Sequence, residues 1–243
     1  MPMTRIFLLA VLCAALPAQA DEAAIRQVIE AKLGSVKVDG VQATPVPGIY
    51  EVRFSGAEGP RIVYTDALAT HIIVGEIIDA RSERNLTEER LRKFSAINMD
   101  TLPYEYAVKV QRGTAKRTLV VFSDPYCPAC FEFEKTLARL DDITIHYFIY
   151  PVIRPERADE SKAAWCSPDR AKAWLDLAQK HKPPAANANC ETPIEKILAF
   201  GRKLGVRSTP TIFLANGERV RGGVSAAQLK TLLDDAAVQK VKK

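Results

Sequence analysis

The chain has 243 residues, of which 47% are hydrophobic and 26% charged, the balance of an ordinary globular protein. This composition argues against a disordered chain, and the length is enough for one large domain or two modest ones. The formal net charge of +5 is spread along the chain instead of gathered in basic blocks, so it gives no sign of a nucleic-acid partner.

Residues 1–20 are typical of a secretory signal peptide. Arg5 provides a positive start, Ile6 to Leu16 form an apolar run, and Ala18-Gln19-Ala20 supplies the small residues expected before a cleavage site. The apolar run is about 11 residues long, against the roughly 20 that a membrane-spanning helix needs, so a membrane anchor is the less favoured interpretation. We therefore expect an exported, soluble mature protein that begins near Asp21.

Cysteine usage fits an exported protein. Cys13 leaves with the leader, and Cys127, Cys130, Cys166 and Cys190 remain. An even number of cysteines in such a protein suggests two disulfides, but four cysteines permit three pairings and spacing does not prove which occurs. Cys127 and Cys130 are close enough to pair locally, which leaves Cys166 with Cys190.

Residues 21–80 are predicted to form a small α+β domain. A helix covers Asp21 to Leu33 and ends at Gly34. Proline and glycine separate the β-like runs that follow, which cover 36–43, 49–54, 61–65 and 71–78, the last with a break at Gly75. A domain of about 60 residues has little core of its own, so packing against a second copy would stabilise it.

The linker and the C-terminal domain follow in order. A charged helical stretch from about Leu86 to Ile97 is interpreted as a linker helix within residues 81–100. Residues 101–243 then read as strand, helix, strand, a helical insertion over about 155–205, a strand hairpin at Asn216-Gly217, and a closing helix. The first strand is predicted at 118–122, the first helix at 127–140 and the next strand at 143–150.

The Cys127-Pro128-Ala129-Cys130 motif follows an apolar strand and opens a helix, the context of a redox-active dithiol. At a helix N-terminus, the unpaired backbone N–H groups and the positive end of the dipole stabilise a thiolate. Cys127 is therefore expected to be the more exposed, attacking thiol. Cys130, one turn inside the helix, is expected to be shielded and to resolve a mixed disulfide.

A zinc site, a haem attachment site and an inert disulfide are the alternatives for this motif. Residue 131 is Phe where haem attachment needs His, no second C-x-x-C exists, and His71, His146 and His181 are scattered along the chain. The sequence favours redox chemistry, with no metal and no other cofactor.

Four further residues invite interpretation. Trp165 and Trp174 stand at helical positions and are expected in the core. His146 lies out of phase with the apolar side of its strand and is expected to be a surface residue in preference to a general base. Asp124, just before Cys127, is a candidate either for capping the helix or for assisting proton transfer.

Thr209-Pro210 stands at the entry to the hairpin strand, where proline alone would indicate only an edge or a turn. Combined with a strand-to-helix C-x-x-C, it resembles the thioredoxin superfamily. In that superfamily this Thr-Pro bond is cis and faces the active site. The resemblance implies that Thr209 and Pro210 bind an extended segment of substrate.

A closer resemblance covers nearly the whole mature chain, which looks like the periplasmic disulfide isomerases of the DsbC/DsbG type. The features that carry it are His71 to Gly75, the linker helix, Phe122 to Cys130, Ala164-Trp165-Cys166, and Thr209-Pro210 followed by Asn216-Gly217. The resemblance implies an α+β fold in which a small dimerisation domain, a linker helix and a thioredoxin-fold domain with a helical insertion follow one another.

The family implies a V-shaped homodimer in the periplasm whose cleft receives misfolded, disulfide-containing secreted proteins. Its Cys127 and Cys130 would be kept reduced by a membrane-embedded thiol reductase of the DsbD type. Cys166 and Cys190 would form a structural disulfide. Pro128-Ala129 is not the dipeptide of the better-known members. Asp124-Pro125-Tyr126 with Pro128 resembles the DsbG branch, whereas the second cysteine pair resembles DsbC.

The expected activity is protein disulfide isomerisation or reduction by thiol–disulfide exchange, with chaperone-like binding of unfolded chains. Two other functions stand beside it. One is a monomeric dithiol oxidase, against which the N-terminal dimerisation domain argues. The other is a holdase chaperone without significant isomerase activity.

Overall fold

The computed structural model describes residues 21–34, 36–56, 59–220 and 223–241. The predicted leader, residues 1–20, lies outside the described residues together with Cys13. The described chain divides into two compact units, the first ending at Gly75 and the second beginning at Glu76, with Gly59 and Pro60 grouped with the second.

A helix and a four-stranded sheet make up the described part of the first unit: α1 (Glu22–Leu33), β1 (Lys37–Ala43), β2 (Ile49–Gly56), β3 (Gly59–Asp66) and β4 (Ile72–Ile73). The strand order is β1-β2-β3-β4, and β1 runs antiparallel to β2. The Asp21 carboxylate accepts backbone N–H bonds from Ala23 and Ala24 and so caps α1. Ile25 and Ile29 on the inner face of α1 are fully buried.

The predicted run 71–78 is interrupted, and the break expected at Gly75 is confirmed. Ile72 and Ile73 pair with β3, and Val74 beyond them is 83% exposed. The chain then enters the second unit, where β5 (Ile78–Asp79) pairs with β6 (Arg84–Asn85). The apolar run is thus divided between two short strand pairs, β3 with β4 and β5 with β6.

The predicted linker helix is α2 (Leu86–Phe94), and it ends before the expected Ile97. Its first turn is capped by the Asn85 side chain, which accepts the N–H of Glu88 at 2.9 Å. The Ile97 N–H donates to the carbonyl of Gly217 at 3.0 Å. The N–H of Ile97 thus bonds to Gly217 and not to a carbonyl of α2. The helix does not continue to Ile97, and the chain is hydrogen-bonded to the turn at Asn216-Gly217.

A five-stranded mixed sheet, ordered β11-β10-β8-β9-β7, forms the centre of the second unit. Its strands are β7 (Val108–Arg112), β8 (Arg117–Ser123), β9 (Ile143–Ile149), β10 (Thr211–Leu214) and β11 (Arg219–Val220). Strands β8 and β9 are parallel, and the other neighbours are antiparallel. The helices around it are α3 (Pro128–Leu137), α4 (Ala158–Cys166), α5 (Arg170–Lys180), α6 (Ile194–Lys203) and α7 (Ala226–Val241).

Both faces of this sheet are covered. One face packs against α3, α4, α5 and α7 through residues that include Phe133, Trp165, Trp174 and Leu229. The other face packs against α6 and the short 3-10 turns at 99–101 and 104–106, through residues that include Met99, Leu102 and Ile197. The predicted core positions of Trp165 and Trp174 are confirmed, and so is the α+β class.

His146, which is expected at the surface, is the one residue of β9 that is not buried, but it is only partly exposed. Because helices and turns cover both faces of β9, the out-of-phase side of the strand is enclosed as well, and His146 is half-buried. Its ring meets that of Tyr104 edge to face at 4.7 Å between centroids. Within the described residues, no helix combines the length and the apolarity that crossing a bilayer requires.

Candidate active site

Cys127 lies where β8 turns into α3. It is the N-cap residue of that helix, Pro128 occupies the first turn, and the Cys127 N–H donates to the carbonyl of Asp124 at 3.2 Å. The first turn of a helix leaves backbone N–H groups without helical partners, and these favour an anion beside them. The fold therefore places Cys127 at the positive end of the α3 dipole.

Asp124 organises the loop before Cys127. Its side chain is fully buried, and one carboxylate oxygen accepts the N–H of Tyr126 at 2.8 Å. The other oxygen accepts the N–H groups of Val152 and Ile153 at 2.6 and 2.8 Å. Asp124 thus ties the loop to the segment after β9. It does not cap α3, so the capping interpretation of this residue is wrong.

Thr209-Pro210, at the entry to β10, lies against the first cysteine. The peptide bond between them is cis. The Cys127 thiol donates to the carbonyl oxygen of Thr209 at 3.2 Å, and both residues are buried, at 6% and 8% exposure. The two segments predicted to form the site are therefore in direct contact.

Cys130 lies deeper than Cys127, although the difference in exposure is small, 3% against 6%. Both are free thiols. Burial raises the pKa of Cys130 to about 12, and the backbone N–H of Asp124 and the hydroxyl of Ser123 oppose that rise only in part. Cys130 therefore holds its proton at neutral pH, as a second, resolving thiol should.

The second pair, Cys166 and Cys190, forms a disulfide with a Cα–Cα distance of 5.7 Å. Cys166 is the last residue of α4, and Cys190 lies in the loop that precedes α6. The bridge ties this loop, with its prolines and alanines, to the helical insertion.

An aromatic cluster beside the motif could not be found from sequence spacing. The His181 ring stacks on Phe131 and on Tyr126, with centroids 5.3 and 5.9 Å apart. The Arg157 guanidinium lies 4.1 Å from the Tyr126 centroid on this cluster. Tyr126 also donates its hydroxyl to Glu160, and burial together with this bond raises the pKa of Tyr126 to about 12.

Glu134 is a second feature that sequence reasoning missed. It lies on α3, and only 3% of its surface is exposed. One carboxylate oxygen accepts the hydroxyl of Tyr147 at 3.1 Å and the side-chain amide of Gln179 at 3.0 Å. The sequence does carry a signal, because an acid stands four residues after Cys130 on the apolar face of the helix.

Comparison with known proteins matches both parts of the chain. Residues 16–88 match the model of the disulfide bond isomerase protein N-terminal domain, and residues 104–237 match that of the thioredoxin-like domain. A probable thiol:disulfide interchange protein DsbC of Bordetella parapertussis is 37% identical over 216 residues, covering 88% of this chain and 74% of that one.

Two further relatives agree. The thiol:disulfide interchange protein DsbC of Escherichia coli K12 is 31% identical over 243 residues, covering 96% of this chain and 97% of that one. The crystal structure of a disulfide interchange protein from Neisseria gonorrhoeae is 33% identical and superposes with a TM-score of 0.53. It covers 56% of this chain and 99% of its own.

Proposed function

Because the chain belongs to the DsbC family of thiol:disulfide interchange proteins, we propose that it rearranges incorrect disulfides in secreted proteins through Cys127 and Cys130. The protein is a thiol:disulfide oxidoreductase with a thioredoxin-like domain. What carries the assignment to these two cysteines is the contact of the Cys127 sulfur with the carbonyl of Thr209, next to cis-Pro210.

That contact also supports substrate binding at Thr209 and Pro210. The thiol of Cys127 donates to the Thr209 carbonyl only while it keeps its proton. Ionisation removes the donor and leaves the carbonyl free to accept an N–H from an extended substrate segment. The thiolate and the binding position for the substrate backbone therefore arise together.

The exchange begins when the Cys127 thiolate attacks one sulfur of a substrate disulfide. A bond forms between Cys127 and that sulfur, the substrate S–S bond breaks, and the second substrate sulfur leaves as a thiolate. In isomerisation a different substrate thiolate attacks the substrate sulfur held on Cys127, so that a new substrate disulfide forms as the bond to Cys127 breaks and Cys127 leaves as a thiolate. In reduction Cys130 attacks the Cys127 sulfur, releases the substrate as a thiolate and leaves a Cys127–Cys130 disulfide.

Refolding of a scrambled protein with several disulfides tests this function. The reduced enzyme should restore native pairing in catalytic amounts, and the oxidised enzyme should oxidise a dithiol peptide only slowly by comparison. Cys127→Ser should abolish both reactions while any suppression of aggregation by binding survives. Rapid dithiol oxidation without reshuffling by the wild type would contradict an isomerase and favour an oxidase.

The proposal extends to a homodimer formed through residues 21 to about 80. Leu68 and Val74 in the first unit are 78% and 83% exposed, and large exposed apolar side chains mark interaction surfaces. Leu68→Glu with Val74→Glu should therefore give monomers, whereas Lys37→Glu, a charge change at an exposed position of the same unit, should not. A light-scattering mass of one chain for the wild type at micromolar concentration would overturn the dimer.

Export to the periplasm and reduction by a membrane-embedded reductase of the DsbD type complete the proposal. The leader-like residues 1–20 support export. Each cycle that ends in reduction leaves the Cys127–Cys130 disulfide, so a thiol donor must restore the pair. N-terminal sequencing of the secreted protein should begin near Asp21, and trapping should link the reductase to Cys127.

A further inference from the structure

A cavity of about 370 Å³ lies in the second unit, against the segment that precedes β10. Pro210 and Arg207 of that segment line it, and so do Arg92 of α2 and Arg219 of β11. The acidic side chain in its lining is that of Glu88. Three arginines beside one acid make this a place that suits an anionic group.

The charge of Arg92 is already matched. Its Nη1 lies 3.3 Å from a carboxylate oxygen of Glu88, and its Nε lies 3.5 Å from a carboxylate oxygen of Glu218. The two acids beside this arginine are therefore engaged with it. A ligand at the cavity would have to bind elsewhere in its lining.

Arg219 is the lining arginine whose charge is not matched, because no carboxylate of the described residues lies within ion-pair distance of it. Burial lowers the pKa of its half-buried guanidinium, and no negative charge of the described residues opposes that shift. Its hydrogen bonds go to neutral acceptors: Nη1 donates to the carbonyl of Gly205 at 3.1 Å and Nη2 to the hydroxyl of Thr211 at 3.0 Å. A guanidinium has five N–H donors, so others remain for a ligand.

These contacts place Arg219 beside the position proposed above for the substrate. Its acceptors, Gly205 and Thr211, stand on either side of Thr209 in the chain. The Thr209 carbonyl lies 3.2 Å from the Cys127 sulfur, the atom to which a substrate cysteine would be joined. The substrate residues next to that cysteine would therefore pass along this segment and the cavity that it lines.

We propose that the cavity binds the side-chain carboxylate of an Asp or Glu within about three residues of the substrate cysteine, with Arg219 as its partner. The planar guanidinium matches a carboxylate, and carboxylates are the usual anions of a protein substrate. The inference rests on the exchange activity and the substrate position proposed above. It adds a preference among substrates, for disulfides whose cysteine has an acidic neighbour.

Reduction of peptide disulfides tests the inference. Each substrate is a disulfide-linked pair of identical peptides with blocked termini and one cysteine, and Glu or Gln is placed in turn at each neighbouring position. Stopped-flow measurement then gives the rate constant at which each peptide oxidises the reduced protein. At one position or more, Glu should react about 10-fold faster than Gln, the lower end of what a hydrogen bond to a charged group contributes, because Arg219 is only half-buried.

Arg219→Gln should remove this preference, since it keeps an amide donor and loses the charge. The preference is a ratio measured within one variant, so a loosened segment that slows both peptides alike leaves it unchanged. Arg202→Gln is the matched control. It removes an exposed positive charge at the end of α6, outside the lining of the cavity, and should keep the preference.

Equal rates for Glu and Gln at every position in the wild type, or a preference that persists in Arg219→Gln, would overturn the inference. A faster rate that comes only from a free C-terminal carboxylate on the Gln peptide would also contradict it, because the cavity would then bind a chain end. Failure to reduce any peptide would instead contradict the proposed exchange activity.

If Arg219→Gln does not fold, a crystal structure of Cys130→Ala joined through Cys127 to the preferred Glu peptide decides. A Glu carboxylate within hydrogen-bond distance of the Arg219 guanidinium supports the inference, and a carboxylate placed elsewhere contradicts it.

Discussion

The sulfur of Cys127 lies 3.2 Å from the carbonyl oxygen of Thr209, a residue 82 positions further along the chain. The sheet brings them together, because β8 and β10 are neighbours and Phe122 at the end of β8 pairs with Thr211 at the start of β10. The loop before α3 and the segment before β10 therefore meet at the same end of the sheet. The redox motif and the Thr-Pro segment form one site for this reason.

Gly217 should be the glycine of the second unit least tolerant of substitution. Its φ is +86°, and a Cβ there would stand 2.0 Å from the carbonyl oxygen of Ile97. Gly217→Ala should lower the free energy of unfolding well beyond the roughly 1–2 kcal/mol of a left-handed alanine. Gly205→Ala is the control, because Gly205 has a φ of +69° and open space around it. Equal losses in denaturant unfolding would show that the contact with Ile97 does not matter.

Removing the disulfide should cost stability and spare catalysis. The Cys166–Cys190 bridge spans 24 positions, and closing a loop of this length is worth about 3 kcal/mol in the chain-entropy model. Replacing both cysteines by Ala should lower the melting temperature. Exchange activity per folded molecule at low temperature should largely remain. Loss of activity in protein that stays folded, or a disulfide found between this pair and Cys127 or Cys130, would refute the division into a structural and a catalytic pair.

The raised pKa of Glu134 predicts a pH dependence of stability. Because the folded state holds this proton more tightly than the unfolded chain, the contribution is complete below the ordinary value of 4.5. It is lost as pH rises from there through the folded-state pKa. Glu134→Gln should remove this decline when the free energy of unfolding is compared between acidic and neutral pH. Glu132→Gln should preserve it, and an unchanged slope in Glu134→Gln would contradict the assignment.

The His181 ring should stabilise the loop and helix on either side of the cysteines. Aromatic pairs contribute about 0.5–1.5 kcal/mol each beyond their area, and His181 stacks on both Tyr126 and Phe131. His181→Ala should therefore lower the free energy of unfolding, whereas His181→Phe keeps a ring and should retain most of it. Both variants carry a side chain at the same left-handed φ of 50°, so backbone strain does not differ. Indistinguishable stabilities would mean that the stacking contributes nothing.

Much of the site follows from local sequence, because its parts depend on short patterns. A C-x-x-C after an apolar strand predicts a dithiol at a helix start, and Cys127 is indeed the N-cap of α3. The division into a free dithiol pair and a disulfide pair also follows from position: Cys127 and Cys130 are free thiols, and Cys166 is joined to Cys190. The aromatic cluster around His181 could not be predicted from local sequence. It depends on how the C-terminal end of α5 packs against the segment that carries Cys127 and Cys130.

The limits of the helices and strands, and the burial of their second faces, are harder to predict from sequence because they depend on tertiary contacts. Strand β7 was missed because Val108 and Val110 alternate with polar residues over a stretch too short to stand out. The sequence predicts a longer linker helix than α2, because the hydrogen bond from Ile97 to Gly217 is a tertiary contact that local sequence does not reveal. His146 is more covered than expected, because periodicity reports one apolar face and not how fully the other is covered.

Trapping of the reaction intermediate tests the central claim most directly. Cys130→Ala, mixed with a scrambled substrate and quenched with acid, should accumulate a mixed disulfide that mass mapping places on Cys127. Cys127→Ala should form no adduct, because its remaining thiol, Cys130, is buried and keeps its proton. An adduct on Cys130 in Cys127→Ala, or none on Cys127 in Cys130→Ala, would contradict the roles of attacking and resolving thiol.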